Sequence, residues 1–504
     1  MQRLIKKILD ILTSIKRIGD SIDLISELMT KHFGIPIEVS KRLVEKKYRP
    51  YINSLKNDLW ILVEFPYVDK VYRDSYYSYF STKLNHNVKD CIRISIFDSK
   101  ITYSQFRNEK SINRIRKKYL GFIVLRPTPP NITGRSVISP RAFKVIDFNC
   151  CTVDVPTTVN SVKMKVNGFP HSSQDTETIT CAETTLWACM EYFGFKYSDY
   201  KPILPSQITN ILGKVSYERQ IPSKGLTILQ ISSALKEFGF GSKVYHSSQY
   251  PDNFSTIYST YIESGIPVIV GLAKNNSPGH AILGIGREIL GEEHIEKCGL
   301  TKTLQGNIQV YDLDSITKKF VFIDDNFPPY QQSLFDSPCQ YYNDPDWQMK
   351  RINCFVVPLY SKIYLEAFEA KNFVYDLLSL SLIKSLPNSA IALRFYLASS
   401  RSYKDWIASS SGMTAYLREI ILNTAMPKFI WVAETGSKES FKQKKANGLV
   451  LLDATGANTY DMKPLIIAVN NGILVRFNSK TNDLDYTNFP SNEFLIYERN
   501  LKYI

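Results

Sequence analysis

Cysteine and histidine are scarce in this chain. Its 504 residues hold eight cysteines, at 91, 150, 151, 181, 189, 298, 339 and 354, and six histidines. No two cysteines form a Cys-x-x-Cys pair, which argues against zinc-ribbon and thioredoxin-type motifs. No apolar run reaches the ~18–20 residues that a membrane-spanning helix requires. The N-terminal stretch opens with charge, as a secretory leader does. Asp10, Lys16 and Arg17 then interrupt its apolar part, and no small-residue cleavage site follows. The expectation is a cytoplasmic protein with free thiols. Glycine (23) and proline (24) are of ordinary abundance, so collagen-like and low-complexity chains are excluded. No repeat recurs at solenoid periods. With 44% hydrophobic and 22% charged residues the chain is globular in composition. At ~100–200 residues per domain its length suits two to four domains.

Acidic residues are short in the first third only. Residues 1–150 carry 28 basic and 14 acidic side chains, and residues 151–504 carry 34 of each, so the first third holds the whole net charge of +14. This break predicts a boundary near residue 150 and a basic α+β N-terminal region over 35–150, open to nucleic acid or an acidic partner. Its densest basic stretch, around Arg114, Arg116, Lys117 and Lys118, reads as a solvated helix face. Ahead of it, Leu4, Ile8, Ile11, Leu12, Ile15, Ile18 and Ile22 predict an amphipathic helix within residues 1–34. Residues 151–345 form the expected central domain. Residues 346–504 read as a further α+β region, with a hairpin turn at the Asn-Gly of 471–472.

Three central segments belong together. In the first, Thr180 and Glu183 have capping-box spacing, so a helix is predicted to start at Cys181. There the thiol meets the positive end of the helix dipole, which favours thiolate. In the second, residues 265–286, two apolar strands flank a polar loop and His280 opens the second strand. In the third, Asp324 and Asp325 stand at the end of the strand Phe320 to Ile323, ahead of Pro328 and Pro329. Cysteine hydrolysis needs these residue types. A thiolate attacks, an imidazole acts as base and then acid, a carboxylate orients the imidazole, and hydrogen-bond donors hold the oxyanion. Gln174, upstream of Cys181, and the Cys181 backbone N–H are the candidate donors. Side chains alternate along a strand, so one aspartate is expected to face His280, with Asp324 favoured over Asp325. Cys189, on the apolar helix face with Leu186, Met190 and Phe193, is expected to be packing, and so are Trp187 and the pair Cys150–Cys151.

The order of cysteine at a helix start, histidine at a strand start and aspartate after the next strand resembles the papain-like cysteine peptidases. Within them it is closest to bacterial C39-like peptidases, over about 175 of the 504 residues. The resemblance implies an α+β fold with a papain-like core, a peptide or protein substrate, and no cofactor or metal. Two features depart from the family. Gln174 lies seven residues before the cysteine rather than six, with Asp175 in the six-residue position, and Ala182 follows the cysteine where glycine is commoner. No ABC-transporter domain follows, so no link to secretion is implied. Two other readings stand beside the peptidase: an acyltransferase using the same triad, and an inactive papain-like binding module whose basic N-terminal region contacts nucleic acid or an acidic partner.

Overall fold

A computed structural model describes residues 12–502, apart from 85–87, 176, 217–218, 224, 274–278, 380–388, 457–462, 471, 479–480, 482 and 489–492. Helices and strands are mixed throughout, an α+β architecture in which the described residues form three large sheets and a two-stranded one. Among the described residues no helix is long and apolar enough to cross a membrane.

The first sheet has seven strands. Leu12–Arg17 forms one edge, followed by Trp60–Tyr67, Cys91–Phe97, Tyr119–Leu125, Ser136–Ile138, Val162–His171 and Val153–Val159, all antiparallel. Two corrections to the sequence reading follow. The expected N-terminal helix is not continuous: residues 12–17 are an edge strand, and a helix begins only at Ile22 and runs to Phe33. Residues 3–11 of that expected helix lie outside the described residues. The β-branched residues Thr13 and Ile15 suit a strand, the neighbouring strand offers a free edge, and Gly19 breaks the helical period. Second, the sheet does not end at the charge break. Val153–Val159 and Val162–His171 carry it past residue 150, because Val153, Val155, Val162, Met164 and Val166 bury one face of that hairpin. The basic stretch forms the helix Glu109–Lys118, with Ile115 buried and Arg114, Arg116 and Lys117 exposed.

The second sheet positions the candidate chemistry. Its order is Gln331–Leu334, Lys319–Ile323, His280–Glu288, Val268–Ala273, Arg351–Tyr360 and Phe240–His246. Phe148–Cys150 pairs with the far end of the His280 strand. The predicted hairpin is present, with Leu272 opposite His280, and its loop residues 274–278 lie outside the described residues. The strand Lys319–Ile323 is buried from Phe320 onward and pairs antiparallel with the His280 strand, Ile323 opposite Leu283. The helix Cys181–Lys196 packs on this sheet, where the Thr185 hydroxyl donates to the Ala281 carbonyl at 3.1 Å. It is buried on every side from Ala182 to Phe193, not on one stripe, because the first sheet covers its other face.

The third sheet runs Lys302–Leu304, Ile308–Asp312, Ala390–Ser399, Phe429–Gly436, Gly448–Asp453, Leu465–Asn470, Ile473–Asn478 and Asp483–Asn488. Asn470 pairs with Ile473, closing the expected hairpin, although Asn471 lies outside the described residues. Chain order and sheet membership cross here. Residues 302–312 leave the central segment to join this sheet, and Arg351–Tyr360 returns to the second one. The crossing is locked by Lys371, whose amine donates to Asp312 at 2.8 Å and Asp314 at 2.6 Å in a buried cluster.

Candidate active site

The helix starts at Cys181, as its capping signature predicts. Glu183 reaches back to accept the Thr180 backbone N–H at 3.1 Å and its hydroxyl, and the Thr180 carbonyl accepts the Thr184 N–H at 3.0 Å. Cys181 is partly exposed, while the other seven cysteines are buried, and all eight are free thiols. It is therefore the accessible thiol of the chain. At the first helical position its own N–H lacks an intrahelical acceptor and faces outward with the positive end of the dipole. Cys189, Cys150, Cys151 and Trp187 are core, as expected from their type.

The loop before Cys181 is held from two sides. Asp175, buried, accepts the backbone N–H groups of Glu177, Thr178 and Ile179 at 2.9, 2.7 and 3.0 Å. The residue six before the cysteine thus shapes the loop. From the N-terminal region, Arg126 donates to the Ser173 carbonyl at 2.7 Å and Tyr79 to Glu177 at 2.7 Å. Further along the helix that begins at Cys181, Arg135 donates to Glu191 at 2.7 Å, with both side chains buried. Gln174 is partly buried, and its backbone N–H is turned toward the Asp325 carboxylate.

The structure brings Cys181, His280, Asp324 and Asp325 together. His280 Nε2 is 3.1 Å from Asp324 Oδ1 and 3.8 Å from Asp325 Oδ1. The Cys181 thiol is a further hydrogen-bonding neighbour of the ring. Both aspartates face the histidine, whereas strict alternation along a strand allows one. The reason is local: the strand ends at Ile323, and both residues occupy the turn beyond it. Their surroundings differ. Asp324 accepts the Asn326 N–H at 3.0 Å and the hydroxyls of Tyr341 and Tyr342 at 3.0 and 2.8 Å. Asp325 is buried with no hydrogen-bond partner on either oxygen.

These surroundings set the charges. Burial disfavours the imidazolium of His280, but the charge and hydrogen bond of Asp324, then Cys181 and Asp325, outweigh it and hold the ring well above its ordinary value. Burial also works against ionised Asp324, yet His280, the Asn326 N–H and Tyr342 keep it below the usual carboxylate range. Asp325 has no such compensation. Burial pushes it up to about 7, the like charge of Asp324 adds to this, and His280 and Lys47 oppose it. The site therefore combines a carboxylate that favours its ionised form, a readily protonated imidazole and an accessible thiol at a helix start.

Four residues around the site were not singled out from the sequence. Tyr341 and Tyr342 hold Asp324. Trp347 stacks on Tyr342 at 4.4 Å between ring centroids and lies nearly perpendicular to His280, at 5.0 Å. This aromatic cover shields the His280–Asp324 bond from water. Lys47 comes from the helix Ile37–Lys47 of the N-terminal region; burial and Lys46 push its ammonium down, and the charges of Asp325 and Asp324 oppose this. Nothing in their local sequence marks these positions, because the long-range fold alone brings them near His280. Compared with protein-family models and with curated proteins, the chain matches none.

Proposed function

We propose that the chain is a papain-like cysteine hydrolase that cleaves an amide bond, with a peptide or protein as substrate. One observation carries this reading: the accessible thiol Cys181 stands at a helix start within reach of His280, and His280 is bonded to a buried, ionised Asp324. In this mechanism His280 takes the Cys181 proton on Nδ1 and the thiolate attacks the carbonyl carbon. The Cys181 N–H and the Gln174 side-chain amide hold the oxyanion. Collapse of the tetrahedral intermediate breaks the C–N bond, and His280 gives its proton to the departing amine. Water, deprotonated by the same ring, then attacks the thioester to release the acid and restore the thiol. Asp324 keeps the ring oriented and stabilises its charged form, and Asp325 plays no orienting part. In this reading residues 151–345 supply the catalytic core, and the basic first third and the third sheet flank it and select substrate.

The test is exposure of wild type and C181A to a diverse peptide mixture, with products read by mass spectrometry. Cleavage by wild type alone, giving free carboxylic acids, supports hydrolysis. Amine adducts in the presence of added amine mean acyl transfer instead. No wild-type product that C181A fails to make overturns the reading.

A further inference from the structure

We propose that His280, Asp324 and Asp325 also form a binding site for a divalent first-row transition metal ion of the zinc or manganese class. The inference concerns the same histidine and aspartates as the proposed active site, but it stands without Cys181 as a nucleophile.

Geometry is the first ground. One ligand atom from each of the three residues lies within 4.8 Å of the others. Nε2 is 3.1 Å from Asp324 Oδ1 and 3.8 Å from Asp325 Oδ1. Donors held at ~2.0–2.1 Å around a tetrahedral zinc ion lie about 3.3 Å apart, so small side-chain shifts suffice. The second ground is Asp325 itself. Its side chain is 2% exposed and points to His280, and neither carboxylate oxygen has a hydrogen-bond partner. A buried carboxylate whose oxygens lack well-formed hydrogen bonds, with only the longer His280 contact beside it, is costly, and it leaves room for a group that meets it. The Gln174 N–H approaches it and the charge of Lys47 favours its ionised form, but both oxygens still lack a well-formed hydrogen bond.

The donor set selects the ion. Two carboxylates balance a doubly charged ion when the imidazole is neutral, so the buried site becomes electrically neutral on binding. An imidazole nitrogen favours first-row transition metals over Mg²⁺ and Ca²⁺, which prefer oxygen alone. Asp324 is already oriented for the task by Tyr341, Tyr342 and Asn326, which occupy its remaining acceptor positions. The consequence is mutually exclusive chemistry. Metal on Nε2 leaves the ring proton on Nδ1, so both nitrogens are occupied and the imidazole can no longer accept the thiol proton.

The experiment is calorimetric titration of the full chain, stripped with EDTA and then freed of chelator, with Zn²⁺ and separately Mg²⁺. The proteins are wild type, D325N, H280Q and C181S. Circular dichroism checks that each is folded, and H280Q serves if D325N does not fold. The expected result is one Zn²⁺ per chain for wild type and C181S alike, with affinity weakened by about 100-fold or more in D325N or H280Q and for Mg²⁺. Wild-type affinity in both D325N and H280Q, loss of binding in C181S, or no binding to wild type would each overturn the proposal. The alkylation of metal-free Cys181 separately tests the hydrolase reading, so failure of one is not failure of the other.

Discussion

Replacing Arg135 with methionine is expected to destabilise the protein by about 3–5 kcal/mol, the cost typical of breaking a buried ion pair from one side. Glu191 lies on the helix Cys181–Lys196 with its side chain fully buried, and Arg135, just ahead of the strand Ser136–Ile138, approaches it to 2.7 Å. The other nearby cation, Lys70, sits at 3.4 Å with its side chain 47% exposed, so solvent screens it. Methionine preserves most of the volume of Arg135 but leaves Glu191 without its main counter-charge. Asp69, also buried, loses the favourable charge of Arg135 as well. The double variant R135M/E191M removes both halves of the pair and is expected to recover at least half of the loss, which isolates the pairwise contribution from packing. Urea unfolding of wild type, both single variants and the double variant measures this, with equal m-values as the condition for comparison. A loss below about 1 kcal/mol in R135M, or a double variant no more stable than the worse single one, would refute the reasoning.

Three further outcomes follow from the site. Asp325→Asn is expected to gain stability relative to wild type as pH rises from 5 to 8, in the presence of EDTA. The folded carboxyl titrates at about 7 against an ordinary 3.8, so the folded state holds its proton more tightly and its ionisation cost grows through this interval. Between pH 5 and 8 that cost grows by about 2–3 kcal/mol at most if the group titrated alone, and coupling to His280 and Asp324 reduces it. Urea midpoints at the two pH values measure it, and an unchanged difference would contradict it. Asp324→Asn removes the group that holds His280 protonated, so the ring's titration, followed by NMR, should move down, with Cys181 alkylation at pH 6 slowed about tenfold or more. An unmoved titration would contradict the assigned partner. Gly284→Ala places a methyl against the Tyr258 hydroxyl on the His280 strand and should cost about 1–3 kcal/mol in urea unfolding. Stability equal to wild type would show that Tyr258 yields freely.

Legibility in the sequence followed the range of the interactions involved. The helix start at Cys181 was readable because capping depends on residues three apart, Thr180 and Glu183. The His280 hairpin and the buried strand ahead of Asp324 were readable from apolar runs bounded by turn residues. The edge strand Leu12–Arg17 was not, since its isoleucine spacing also fits a helix and only the partner strand Trp60–Tyr67 decides between them. Sheet membership of residues 302–312 and 351–360 was equally hidden, because chain order does not reveal which sheet a strand joins. Alternation gave the wrong rule for Asp325, since it applies inside a strand and both aspartates lie beyond its end. Lys47 and Trp347 reach the site from distant parts of the chain, 233 residues before and 67 after His280. No pattern local to either one anticipates that meeting.

The most direct test of the central claim is the rate of Cys181 alkylation by a small electrophile across pH, in metal-free wild type and His280→Ala, with the labelled residue located by peptide mass spectrometry. The account predicts fast labelling of Cys181 well below pH 8 that slows markedly when His280 is removed. Labelling no faster than an ordinary thiol, with the same pH dependence in both proteins, would contradict an activated Cys181–His280 pair.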